Sequence, residues 1–226
     1  MTTQTMPARG PMGRAAAKGR AWATDLRLGG LLLTVAGATI LMGIITAEAL
    51  YPATFTTGGN EISDLGGTRP PDSRIFQPSA AIFDVSMIAI GILVIAASWF
   101  VDRAFGRRSV TIPMTVLGIG ALGVGLFPGN TGNPHAIFAM VTFVAGGVAA
   151  ISAARVASGP FRLVSLVLGA ASLVTLVTYM VVGDAGPMAS LGIGGIERWI
   201  VYPVVLWVVA FGGYLSGRGD VVAEDR

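Results

Sequence analysis

Seven ionisable side chains carry most of the chemistry open to this chain: Glu48, Asp64, Asp84, His135, Asp184, Glu197 and Arg198. They sit inside, beside or between long apolar stretches. In hydrocarbon an ionised group costs about 2.5 to 3.5 kcal/mol, so it turns toward a partner, a wet cavity or a ligand. Carboxylates and one imidazole can bind a cation, hold a polar headgroup or move a proton. Asp84 has the strongest claim, roughly 6 Å inside its helix at 1.5 Å per residue. It reads as a functional carboxylate, as the ion-pair partner of Arg74 or Arg198, or as an interfacial group reaching for water. His135, the single histidine, follows Phe127-Pro128-Gly129-Asn130-Thr131-Gly132-Asn133-Pro134 and reads equally as a polar helix-start residue or as a base or ligand. Glu48 ends the first apolar stretch and Asp184 the fifth, while Glu197-Arg198 opens the sixth, where the helix dipole also favours Glu197. Taken singly, the residues at helix ends are unremarkable; what marks them is that all fall at one level.

Other chemistries are excluded or thinly supplied. There is no cysteine, hence no disulfide, no thiol nucleophile and no thiolate metal site. One histidine among carboxylates is a poor zinc set, since catalytic zinc takes two or three histidines. No cofactor is identified, and a divalent cation is left open without a full ligand motif. Gly118-Ile-Gly120-Ala-Leu-Gly123 matches the dinucleotide fingerprint literally. That motif needs a strand before it, and this copy lies in an apolar run, so it reads as helix packing.

The elements that must position these groups are membrane helices. The chain has 226 residues, 53% of them hydrophobic and 12% charged, with mean hydropathy +0.73. Lipid is the solvent such a composition fits. Apolar stretches long enough to cross a bilayer, which takes about 20 residues each, fall at 28–50, 80–100, 110–127, 136–156, 163–182 and 199–215. The expected fold is an all-α integral membrane bundle of six helices filling 28–216. Arg9, Arg14, Lys18, Arg20 and Arg27, then Arg103, Arg107 and Arg108, then Arg155 and Arg162, then Arg218 and Arg226 all fall on one side. Arg69, Arg74 and Arg198 fall on the other. The positive-inside rule therefore puts both termini in the cytoplasm of a cell-membrane protein and the seven polar residues at its outer face. A cleaved leader ending at Ala47-Glu48-Ala49 is the rival reading, but the apolar run is longer than a signal peptide's roughly 7 to 15 residues. Residues 1–27 and 217–226 read as disordered tails. Small residues recur every fourth position at Ala145, Ala149 and Ala153, and at Gly146, Ala150 and Ala154, so that helix backbones can approach. The basic residues flank apolar segments instead of forming a patch, so nucleic acid is not an expected partner.

The first outer loop, from Asn60-Glu61-Ile62-Ser63-Asp64-Leu65-Gly66-Gly67 through Pro70-Pro71 to Ile75-Phe76, is the longest between spans. Ser63 and Asp64 can bond nearby backbone, and the glycine pair permits a fixed turn. Its apolar residues suit a lid folded over the helix ends. Ile62-Ser63-Asp64-Leu65-Gly66, Phe76, Gly118 to Pro128, His135 with Phe138, and Gly195-Ile196-Glu197-Arg198 with Tyr202-Pro203 and Trp207 resemble an uncharacterised prokaryotic membrane family, domain of unknown function nine-nine-eight. More remotely, the Ile-Ser-Asp loop, the fourth-helix histidine and the sixth-helix glutamate are similar to the Frag/DRAM/Sfk family of six-helix proteins, departing from it at Leu65 and Arg198. That resemblance implies a lipid-related role. The leading expectation is a protein that binds or handles a membrane lipid or small amphiphile at its outer face, with Arg198 or Arg74 on the headgroup. The alternatives are a lipid hydrolase or acyltransferase using Asp84, His135 and Glu197, a transporter, or a non-catalytic partner subunit.

Overall fold

In the computed structural model, residues 11–52, 54–183 and 186–224 are described. Asp184 lies outside them, and so do residues 1–10 of the amino-terminal segment. Among the described residues six α-helices make up the fold: α1 (Pro11–Ala49), α2 (Ser79–Phe105), α3 (Arg108–Leu126), α4 (Asn133–Ala153), α5 (Pro160–Val182) and α6 (Gly192–Glu224). Each contains a segment long and apolar enough to cross a membrane, and the chain is a multi-pass, all-helical membrane protein.

Every helix packs on its neighbour in sequence, and α6 closes the ring against α1. The α4 to α6 contact is slight, and α5 packs against both helices. The centre is apolar, filled by Leu33, Ile40, Val94, Met114, Ala149, Trp207 and Phe211. Small residues set the spacing. A Cβ at Gly91 or Gly118 would run into the facing helix, and one at Gly123 would strike the Phe138 ring. The fingerprint-like glycines are thus packing residues, and the α4 positions Ala145, Ala149, Ala150 and Ala153 are buried as the fourfold spacing predicts.

Two expectations need correction. Residues 11–27 are not a disordered tail but the first turns of α1, with Ala23 and Leu26 buried. Trp22 donates its indole N–H to the Ala104 carbonyl at 2.8 Å, and Asp25 pairs with Arg103 at 3.2 Å. The four-residue spacing of Trp22 and Leu26 places both on one helix face, a pattern that the segment's average composition conceals. Likewise α6 runs past Gly217, and Asp220 meets Arg27 at 2.6 Å.

The second correction concerns the start of α6. The run Gly192-Ile193-Gly194-Gly195 reads as loop because glycine is a poor helix former, costing about 1 kcal/mol each relative to alanine. It is helical here, so Glu197 lies inside α6, roughly 7.5 Å beyond Gly192 at 1.5 Å per residue, instead of opening the helix.

Candidate functional site

The loop between α1 and α2 folds over one end of the bundle as a lid. Its centre is a short 3-10 turn, Ile62–Leu65. Asp64 accepts the Glu61 backbone N–H at 3.0 Å and an Asn60 amide N–H at 3.4 Å, which closes the turn on itself. Ile62 and Leu65 point into the bundle, 3% and 0% exposed. Phe76 packs edge-on against Tyr51 at 5.0 Å, whereas Ile75 remains half exposed, so only part of the loop's apolar content is used as an anchor. Glycines let the lid sit close. A Cβ at Gly194 would collide with the Asn60 carbonyl, one at Gly129 with the Gly67 carbonyl, and one at Gly66 with the Asp84 carboxylate. The Gly194 N–H donates to Gly58 O at 2.9 Å, a direct bond from α6 to lid backbone.

Two adjacent residues of α6 clamp this lid with opposite chemistry. Glu197 accepts the Ile62 backbone N–H. Arg198 donates to the carbonyls of Thr57 and Asn60 at 2.8 and 3.0 Å, to Gly194 O at 3.0 Å, and to the Glu48 carboxylate. Arg198 is buried. With both terminal nitrogens on lid carbonyls and Glu48, it is built into the lid and does not face a headgroup.

The polar residues do share one end of the bundle, but they divide into separate groups. Glu48 and Arg198 form the clamp. Asp64 stabilises the lid turn. Asp84 lies under Gly66, with one carboxylate oxygen buried and without a hydrogen-bond partner. His135, in the first turn of α4, places Nδ1 2.8 Å from the Phe127 carbonyl. Ser63, near the centre of the lid, is buried beside it. Among the described residues no three His, Asp or Glu side chains gather as a metal-binding group. Of the expected carboxylate and imidazole set, His135 and Glu197 line one small chamber, and Asp64 and Asp84 are not part of its lining.

A cleft opens between α4, α5, α6 and the lid. Its volume is about 240 Å³. Glu61, Arg69, Tyr179 and Glu197 supply its polar groups, and Ala136, Met140, Phe143, Leu176, Met180 and Ile200 its apolar walls. Along α4 the lining runs from Ala136 to Phe143, which at 1.5 Å per residue is roughly 10 Å of depth away from the lid. Glu61 pairs with Arg69 at 2.9 Å. Burial, with Asp64 adding repulsion, pushes the Glu61 carboxyl above its ordinary range, although Arg69 pulls it back. Neither Arg69 nor the α5 residues stood among the expected site residues. Arg69 was legible only as an outer-loop charge, and nothing in the apolar pattern of α5 distinguishes Leu176 and Met180 from its lipid-facing neighbours.

With this geometry in place, comparison with known families gives one result. The model of a family described as "Protein of unknown function (DUF998)" matches residues 34–214. The chain belongs to this family. The matched region takes in the lid, the cleft, all of α2 to α5, and residues 34–49 of α1 and 192–214 of α6. No curated protein and no solved structure matches the chain.

Proposed function

We propose that this DUF998 protein binds one membrane amphiphile in the cleft between α4, α5 and α6, its polar end under the lid and its chain running down the helices. The observation that carries this reading is the division of the cleft lining. Charged groups gather where the lid meets α6, and the wall beyond them is apolar through Phe143, Leu176 and Ile200. A ligand site of this kind is concave, mostly apolar and oriented by a few polar groups. The α4 to α6 seam, covered only by α5, gives a lipid lateral access that a sealed bundle would deny it. The arginine distribution supports putting the lid at the outer face of a cell membrane, so the ligand is drawn from that leaflet.

The test is native mass spectrometry of the purified full chain. Ala136 is exposed at the cleft mouth, and Ala136→Trp fills it without touching the lid clamp. Wild type is expected to carry lipid at near-stoichiometric occupancy and Ala136→Trp to lose most of it while unfolding at an unchanged temperature. Equal lipid retention by both proteins would overturn the assignment of the cleft.

A further inference from the structure

The charged groups of the cleft are two carboxylates, Glu61 and Glu197, and one guanidinium, Arg69, with Tyr179 also in the lining. Glu61 and Arg69 satisfy each other. Arg198, the next residue to Glu197, turns its terminal nitrogens to Glu48 and the lid carbonyls. Glu197 therefore reaches the cleft as a carboxylate whose ordinary counter-ion is engaged elsewhere.

Behind Glu197 lies a second chamber, of about 60 Å³, which shares Ala139, Phe143 and Glu197 with the cleft. His135 lines it and is 1% exposed. The bond from Nδ1–H to the Phe127 carbonyl fixes the tautomer of the neutral ring and makes Nε2 an acceptor. That Nε2 is buried and has no hydrogen-bond partner. A buried acceptor left unpaired is costly, and the other side chains of this chamber are apolar apart from Ser63, Thr142 and Glu197. Thr142 already donates to Phe138 O at 2.7 Å.

We propose that the amphiphile carries a primary ammonium, which the Glu197 and Glu61 carboxylates hold and which donates one N–H to His135 Nε2 where the two cavities meet. This rests on the amphiphile reading of the cleft and specifies the headgroup. A primary ammonium brings three donors and no acceptor, the complement of two carboxylates and an imidazole nitrogen. A phosphate beside it in the headgroup draws Arg69, whose guanidinium suits phosphate oxygens, and Glu61 is released to the ammonium. A trimethylammonium head has the same charge and no N–H, so it leaves Nε2 bare.

The experiment offers the purified full chain equimolar phospholipids of identical acyl chains with ethanolamine, N-methyl, N,N-dimethyl and choline heads, and reads bound species by native mass spectrometry. Wild type is expected to favour ethanolamine over choline by about tenfold or more, the equivalent of one charge-assisted hydrogen bond, with a graded fall across the series. His135→Leu is expected to bring that ratio close to one while total lipid stays bound, and His135→Gln, which retains an acceptor, to restore part of it. A wild-type ratio near one with lipid bound overturns the ammonium assignment and leaves the amphiphile reading standing. Failure of every lipid to bind overturns the amphiphile reading itself. A ratio unchanged in His135→Leu also overturns the assignment, and should that variant not fold, the wild-type methylation series decides.

Discussion

The two ends of the bundle are both knitted together by arginine, in opposite ways. At the lid end Arg198 is buried and serves backbone carbonyls and one carboxylate. At the other end Arg27 and Arg103 are about half exposed and meet an exposed Asp220 and a buried Asp25, while Arg218 donates to Val156 O at 3.0 Å and lies over the Trp22 and Phe105 rings. Arginine suits both tasks through its permanent charge and forked donors. Burial separates them. An exposed pair is worth about 0 to 1 kcal/mol, whereas removing one member of a buried pair strands the other and costs about 3 to 5 kcal/mol. The lid end is accordingly where a substitution should do most damage.

Arg198→Ala gives the largest expected effect. It strands the Glu48 carboxylate and uncaps the Thr57 and Asn60 carbonyls, a loss of about 3 to 5 kcal/mol by analogy with broken buried pairs. Thermal unfolding in detergent should drop sharply, with hydrogen exchange rising first at residues 57–66. A variant as stable as wild type would mean that the lid does not depend on this clamp.

Gly194→Ala comes next. The added methyl meets the Asn60 carbonyl, a backbone atom with no rotamer by which to move aside, and overpacking of this kind costs about 1 to 3 kcal/mol. Gly213, also on α6, has open space around its Cβ position. Gly213→Ala should be neutral or slightly stabilising through helix propensity. Comparing the two by unfolding temperature isolates the close approach of lid to helix from any general effect of glycine in α6.

Most of this architecture was legible in the apolar runs, because lipid demands that helices satisfy their own backbone and the length of each run follows from bilayer thickness. What escaped is instructive. Gly192 to Gly195 looked like loop because propensity counts local cost alone, and the gain from seating a lid carbonyl against α6 is non-local. Trp22 and Leu26 looked like tail because two apolar residues a turn apart vanish in an average over a basic segment. The candidate site was legible as a level but not as a set of contacts: Glu48, Asp64, Asp84, His135, Glu197 and Arg198 do share one end, yet which of them pair is decided by helix rotation and lid conformation. Arg198 reads as available for a headgroup, but its partners are lid carbonyls and Glu48, and Arg69 carries no distinguishing pattern in the sequence.

A smaller effect follows from Glu61. Its carboxyl is raised from the ordinary 4.5 chiefly by burial, then by Asp64, against the pull of Arg69; Glu197 also lines its cleft. A raised folded-state pKa contributes stability below the ordinary value and loses it as pH rises through the raised one. The unfolding temperature of wild type relative to Glu61→Gln should therefore fall as pH climbs above 4.5. Retention of an ammonium lipid should move the other way over the same window, because the ionised carboxylate is the form that holds a cation. Parallel trends in the two measurements would separate Glu61 from the ligand.

The smallest effect belongs to the opposite end. Arg27→Ala removes a pair whose side chains are 46% and 57% exposed, so its expected cost is at most about 1 kcal/mol. Screening should erase much of that at high salt, where the Debye length falls to about 3 Å at 1 M. The Arg198→Ala deficit, buried and built on carbonyls, should persist in the same buffer. Measuring both variants at low and high salt puts the contrast between the ends on one axis: a salt-sensitive Arg198 would make the lid clamp a surface ion pair, and a salt-resistant, costly Arg27 would make the arginine-rich end a structural clamp as well.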